Sequence, residues 1–287
     1  MRKSLITTAV LGALAAPAFV FAADAAPAPD LTVAYNVGLY SQYIFRGLTQ
    51  TDRKPALQGG VDLTHSSGFY LGAWGSNISW LRDPYGNPKP AESETFYKSG
   101  GNLEIDLYGG YRHTFDSVGS GLGIDLGVLQ YWYPGTERGK ATGNGYAGAN
   151  TTEVYGALSY GWLQGKVSVV GSDDAWGWGK TASVTKNARG TYYAELNATL
   201  PIGEWVGGGA LSGVTGIAHI ARQEFNNNNI FLASYTDYKL GLQKAFENGV
   251  NVGAYWTNTS GAKDAAWTYN GKNIGESTGT AYIQKTF

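Results

Sequence analysis

The sequence predicts an all-β protein: a single transmembrane up-and-down antiparallel β-barrel of about twelve strands over residues 31–287. Three observations predict it. Apolar and polar residues alternate with a period of two in segment after segment. The connections between segments alternate short and long. Charge keeps to one of the two faces this alternation creates, while large aromatics gather at segment ends.

Composition narrows the field first. Of 287 residues, 42 are glycine, 20 tyrosine, 10 phenylalanine and 9 tryptophan, and cysteine is absent. Charged residues make up 15%, against about 25% in ordinary soluble domains. The absence of cysteine excludes disulfides, zinc–thiolate sites and thiol nucleophiles. A net charge of −1 gives no electrostatic footprint for nucleic acid. Abundant glycine and aromatics disfavour a helical bundle. A mean hydropathy of −0.22 excludes a polytopic helical membrane protein, which needs spans of about 20 apolar residues.

Residues 1–22 read as a secretory signal peptide. Arg2 and Lys3 supply a basic start, Leu5 to Ala16 is apolar or small, and Val20-Phe21-Ala22 offers a cleavage site after Ala22. Its removal leaves 19 basic residues against 22 acidic ones, a net charge of −3. Residues 23–30 form a short extended lead-in on the periplasmic side.

The strands follow. In LTVAYNVGLYSQYIFR, Leu31, Val33, Tyr35, Val37, Leu39, Tyr43 and Phe45 share one face, and Thr32, Asn36, Gln42 and Arg46 share the other. NLEIDLYGGYRHTF sets Leu103, Ile105, Leu107, Tyr111 and Phe115 against Glu104, Asp106 and Arg112. GLGIDLGVLQYW, TEVYGALSYGW, TYYAELNATL and TDYKLGLQKAF repeat the pattern. Predicted strand starts lie near Leu31, Ala56, Phe69, Asn102, Leu122, Thr152, Lys166, Thr191, Ala210, Tyr235, Val250 and Ser277, the third, seventh, ninth and eleventh with weaker alternation. Each is long enough for the roughly 9–11 residues that a tilted strand needs to cross a bilayer. Short connections fall at 65–68, 116–121, 164–165, 201–205 and 247–249, and longer ones at 47–55, 81–101, 134–150, 175–189, 223–234 and 261–276. Short turns then face the periplasm and long loops the outside.

Seven strands have clear faces. Their apolar faces carry one charge, Lys244, and their polar faces carry ten: Arg46, Asp62, Glu104, Asp106, Arg112, Asp125, Glu153, Glu195, Asp237 and Lys239. These ten are the candidate pore-lining residues. Seven are acids and three bases, which predicts weak cation preference. Aromatics form two expected belts, with Trp74, Trp80, Trp132, Tyr133, Trp176 and Trp256 toward the long loops and Phe69, Phe115, Trp205 and Phe246 toward the short turns. Glycines at 59, 60, 109, 110 and 123 suit tight curvature or close packing of large rings. The last strand, TGTAYIQKTF, ends in Phe287, like the signal read by the barrel-assembly machinery, although Lys285 stands where an apolar residue is usual. Closure leaves no sheet edge, so every backbone group finds an internal partner in hydrocarbon.

The chain resembles the TorF family of porin-like proteobacterial outer-membrane proteins, of the Gcw_chp type. The resemblance rests on SQYIFRGLTQTDRKPALQGGVDLTHSSGFYLGAWGSNISW, NLEIDLYGGY, LGVLQYWYPG, NTTEVYGALSYGWLQGKVSV with SDDAWGW, SYTDYKLGLQKAF and the final KTF. It covers essentially the whole mature chain; GGGALSGVTGIAHIA and the NNNN loop are less typical. The resemblance implies an outer-membrane barrel with a pore, in a Gram-negative bacterium. It transfers no catalytic residue and no cofactor.

Other motifs have ordinary readings beside functional ones. His65 and His113 fall near turns, while His219 lies on a weakly patterned strand and can face the lumen. A lipase with Ser, His and Asn at the barrel surface is the enzymatic alternative, but no nucleophile-elbow motif is visible. Asp173-Asp174 has the oxygen ligands a cation wants, and reads equally as a solvated loop edge. The charged, aromatic loops 81–101 and 261–276 suit a receptor or adhesion surface. GSGLG at 119–123 leads into a strand and not a helix, so it is no dinucleotide fingerprint. The expected function is passive diffusion of small hydrophilic solutes, with lipid and solute as partners. A non-conducting anchor or adhesin is the runner-up.

Overall fold

The computed structural model describes residues 30–86, 95–119, 121–138, 147–180, 185–226 and 233–287, together with Leu11–Gly12 and Leu14–Ala15, which pair with each other. The rest of the expected signal peptide, the lead-in before Asp30 and Asn227–Asn229 of the NNNN loop lie outside the described residues.

Twelve strands form one closed barrel. In chain order they are β1 Leu31–Tyr40, β2 Ala56–His65, β3 Phe69–Asn77, β4 Leu103–Phe115, β5 Leu122–Trp132 and β6 Thr151–Tyr160. Then come β7 Leu163–Val170, β8 Tyr192–Leu200, β9 Val214–Glu224, β10 Tyr235–Ala245, β11 Val250–Ser260 and β12 Thr278–Thr286. Each pairs antiparallel with the next, and β12 returns to β1 from Tyr282↔Tyr40 to Thr286↔Asn36. Phe287 lengthens that seam: its N–H donates to the Tyr35 carbonyl at 2.9 Å. Among the described residues no helix is long and apolar enough to cross a membrane.

Period two sorts the side chains as the pleat requires. Leu31, Val33, Tyr35, Val37 and Leu39 of β1 are exposed, and so are Leu126 and Val128 of β5, Val154 and Leu158 of β6 and Leu240 and Leu242 of β10. They form an apolar belt around the outside. The alternate residues point inward.

Four details depart from the expectation. The first strand stops at Tyr40, and Ile44–Phe45 pairs with Leu48–Thr49 in a small hairpin within loop 41–55. The seventh starts at Leu163, so the turn is Gly161-Trp162 and Gln164-Gly165 belongs to the strand. The ninth starts at Val214, because a helix at Ile202–Trp205 and a 3-10 turn at Gly209–Leu211 precede it. That connection is therefore not short. The expected long-loop belt also divides: Trp132 and Trp256 are exposed, whereas Trp74, Trp80, Tyr133 and Trp176 are buried. Trp74 occupies an inward position on β3, and the other three pack with loop aromatics, Trp176 with Phe45 and Trp80 with Phe96 and Tyr133. Phe69, Phe115, Trp205 and Phe246 are exposed toward the short turns, joined there by Trp162.

Inward tyrosines lie across inward glycines. Tyr108 of β4 crosses Gly72 of β3 and donates to Asp62 of β2 at 2.6 Å. Tyr70 of β3 crosses Gly110 of β4 and donates to Asp125 of β5 at 2.6 Å. Tyr282 of β12 crosses Gly253 of β11 and donates to Gln243 of β10 at 2.8 Å. Each ring spans one whole strand, and only a residue without Cβ leaves room for it.

Gly72→Val is therefore expected to destabilise the barrel by about 1–3 kcal/mol through overpacking. The temperature at which purified protein loses its folded gel mobility measures it. Gly279→Ala, where an added Cβ meets nothing within 4 Å, leaves that temperature unchanged.

Candidate functional site

The interior collects charge in two tiers. Nearer the short turns, Asp62, Arg112 and Asp125 gather with Tyr70, Tyr108 and Tyr155. Arg112 lies 4.0 Å from Asp125 and 3.9 Å above the Tyr70 ring. The Tyr70 and Tyr155 hydroxyls bond to each other. Arg112 and Asp125 keep side-chain exposures of 20% and 30%, so solvent reaches this tier.

The tier nearer the long loops is packed. Glu104, Asp106, Glu153 and Asp237 are exposed by 2% or less. Most of these carboxylates meet a tyrosine. Tyr43 donates to Glu104 at 2.9 Å, Tyr131 to Glu153 at 3.1 Å and Tyr193 to Asp237 at 3.0 Å. Asp106 is the exception: both of its oxygens are buried without a hydrogen-bond partner among the described residues.

Arg46 organises this tier. It was expected on an inward strand face; instead it sits at the tip of the loop hairpin with φ +47, and loop folding carries it inside. A strand continuing past Tyr40 would place the residue on the rim, whereas the hairpin folds the chain back into the barrel. Its Nη2 donates to both Glu153 oxygens at 2.8 and 2.9 Å, and its Nη1 donates to Gln223 at 2.9 Å. The guanidinium stands 4.2 Å from the Tyr193 ring centre and 5.0 Å from that of Trp176. Tyr235 donates to its carbonyl at 2.9 Å. Burial alone pushes the Arg46 pKa down; the Glu153 carboxylate overrides this and holds it above its ordinary value. Outward of Arg46, Phe45, Leu48, Trp80, Trp176, Phe225, Tyr235 and Trp267 enclose an apolar cavity of about 30 Å³.

Glu195 and Lys239 point inward beside a second, polar cavity of about 90 Å³. Lys166 and His219 join them there. Lys166 is absent from the ten expected residues, because the weaker alternation of the seventh strand leaves its faces uncertain. The signal was present: Leu163, Gly165, Val167 and Val169 alternate with Gln164, Lys166 and Ser168. His219 has Asn197 Oδ1 at 2.6 Å and Asp237 Oδ1 at 3.0 Å, and no serine among its bonded partners.

The remaining motifs do not converge on a site. Asp173 accepts from Asn187 and Arg189, while Asp174 accepts from the Gly148 N–H. Among the described residues no group of three or more His, Asp or Glu is placed to hold a metal ion. On the outside, Lys244 donates to the Ala210 carbonyl at 2.8 Å, and Arg222 pairs with Glu224 at 2.7 Å.

A closed barrel with a charged interior and an apolar exterior defines the class. The chain belongs to the Gcw_chp family, described as bacterial protein of unknown function, whose model matches residues 24–287. No curated protein matches it. Among solved structures, the KdgM porin aligns over 89% of this chain and 98% of its own at 8% identity, with a TM-score of 0.46. The NanC porin aligns over 89% and 99% at 11% identity, with a TM-score of 0.44. OccK5 (OpdH) of Pseudomonas aeruginosa aligns over 90% and 67% at 11% identity, with a TM-score of 0.37. Likenesses this distant say nothing about what the interior passes or binds.

Breaking one side of a buried ion pair costs about 3–5 kcal/mol. Arg46→Ala is thus expected to loosen the hairpin and speed amide exchange over residues 43–51 by about a hundredfold or more, since 1.4 kcal/mol is a factor of ten. Hydrogen–deuterium exchange read by mass spectrometry checks it, with β6 and β7 as internal references.

Proposed function

We propose that the chain is a porin-like channel of the Gram-negative outer membrane for passive diffusion of small hydrophilic solutes. One observation carries the reading: a closed barrel wears an apolar belt outside and keeps most of its strand-borne charge inside. The belt fits lipid, which excludes charge and unpaired backbone. Two groups of exposed aromatics fit the interfaces. Residues 1–22 act as the signal peptide, 23–30 as a periplasmic lead-in and 31–287 as the transmembrane barrel. The terminal strand ending in Phe287 serves the barrel-assembly machinery. The narrower TorF assignment rests on the segments quoted above.

Hairpin 44–49 is the filter of this channel. It narrows the lumen where Arg46 faces Glu153, and solutes pass only as far as width and charge allow. Among the described residues, the inward charges of the strands and the hairpin are the ten expected residues and Lys166, seven acids against four bases. No covalent step is required.

Planar-bilayer recording of the purified protein tests the reading. Small unitary currents are expected, with a reversal potential favouring cations; anion preference contradicts the charge argument. Arg46→Ala is expected to raise the unitary current, and replacing Ile44–Thr49 by a Gly-Ser linker to raise it further. Silence in wild type and both variants hands the function to the non-conducting anchor. Leu126→Arg is expected to cost about 2–4 kcal/mol near the bilayer midplane and to lower the folded yield in vesicles.

A further inference from the structure

We propose that the polar cavity beside the hairpin is a binding subsite for small zwitterionic solutes, molecules carrying an ammonium and a carboxylate a few bonds apart. The inference rests on the channel reading above and narrows it to a solute class. The cavity measures about 90 Å³. A water needs about 10–15 Å³ of such space, so several waters or one small solute fit. Ile44–Gly47 bound it on one side and the inner faces of β7–β10 on the other.

Sheet register explains its charges. One inward row runs Lys166, Glu195, Ala221, Asp237 across the four strands. The next row, nearer the short turns, runs Gln164, Asn197, His219, Lys239. The strand-borne charges are two ammoniums and two carboxylates, with opposite signs adjacent. Ala221 contributes only a methyl group between two carboxylates.

Two of these groups keep unused capacity. Lys166 Nζ lies 4.4 Å from the Tyr155 ring centre and makes no hydrogen bond with the described residues. Glu195 Oε2 accepts from Asn197 at 2.9 Å, while its Oε1 accepts from none of the described residues. Asp237 is fully engaged by Tyr193 and His219. Lys166 and Glu195 are direct cross-strand partners, a placement that sets Cβ atoms about 4.5–5.5 Å apart. A solute carboxylate seats on Lys166 and its ammonium on Glu195. A simple anion or cation meets one favourable and one like charge at nearly the same distance.

Glycine is the probe, with acetate and methylamine as analogues each lacking one pole. Saturation-transfer NMR on the wild-type protein in detergent is expected to rank glycine about tenfold above either analogue, the worth of one charge-assisted hydrogen bond. Lys166→Gln and Glu195→Gln are each expected to weaken glycine about tenfold by the same argument. Equal signals from glycine and either analogue overturn the proposal, as does unchanged glycine binding in both variants. Folding of each variant is read from heat-shifted gel mobility; if one does not fold, the wild-type ranking alone decides. Conductance is recorded separately. Glycine binding to a silent barrel keeps the subsite and discards the channel; current without glycine binding discards the subsite alone.

Discussion

The ion pair between Arg46 and Glu153 is the contact on which the interior arrangement depends. A twelve-stranded barrel is wider than its own side chains fill. Loop 41–55 supplies the missing material, and with it brings a guanidinium out of water. A buried charge persists only if paired and hydrogen-bonded. Glu153 offers both oxygens, Gln223 a third acceptor, and Tyr193 and Trp176 their ring faces. Gly47 completes the tip with φ +78, at a point where a Cβ would strike Asp237 and Thr259. The apolar residues Phe45 and Leu48 can then pack outward of the arginine.

Tyrosine makes the rest of that interior affordable. Its ring fills volume and its hydroxyl brings a donor to the far end. Asp62, Glu104, Asp125, Glu153 and Asp237 each accept from one. The rings reach them because glycine lies beneath several of the crossings. Part of the high glycine and tyrosine content is thus one structural device. Asp106 stands outside it, fully buried between inward Trp74 and Tyr131 on the neighbouring strands.

Aromatics consequently divide three ways: outward at the rims, inward as tyrosine spokes, and clustered over the loop hairpin. The last group covers the packed upper tier on its long-loop side. From the short-turn end inward come Arg112 and Asp125, then the polar cavity, which the hairpin bounds.

The sequence by itself determined the barrel. Twelve strands, their order and the inward and outward faces of seven of them follow from a period of two and from turn residues, which are local properties. Nine of the ten candidate residues lie inward on strands for that reason. The sequence did not determine that Arg46 leaves the strand, that four large aromatics turn inside, or that Lys166 and His219 meet Glu195 and Asp237. Arg46 finds its partners 107 and 177 positions away. Such contacts exist only once closure brings β6, β8 and β9 around a loop from the start of the chain, so only the tertiary structure decided how the interior is filled.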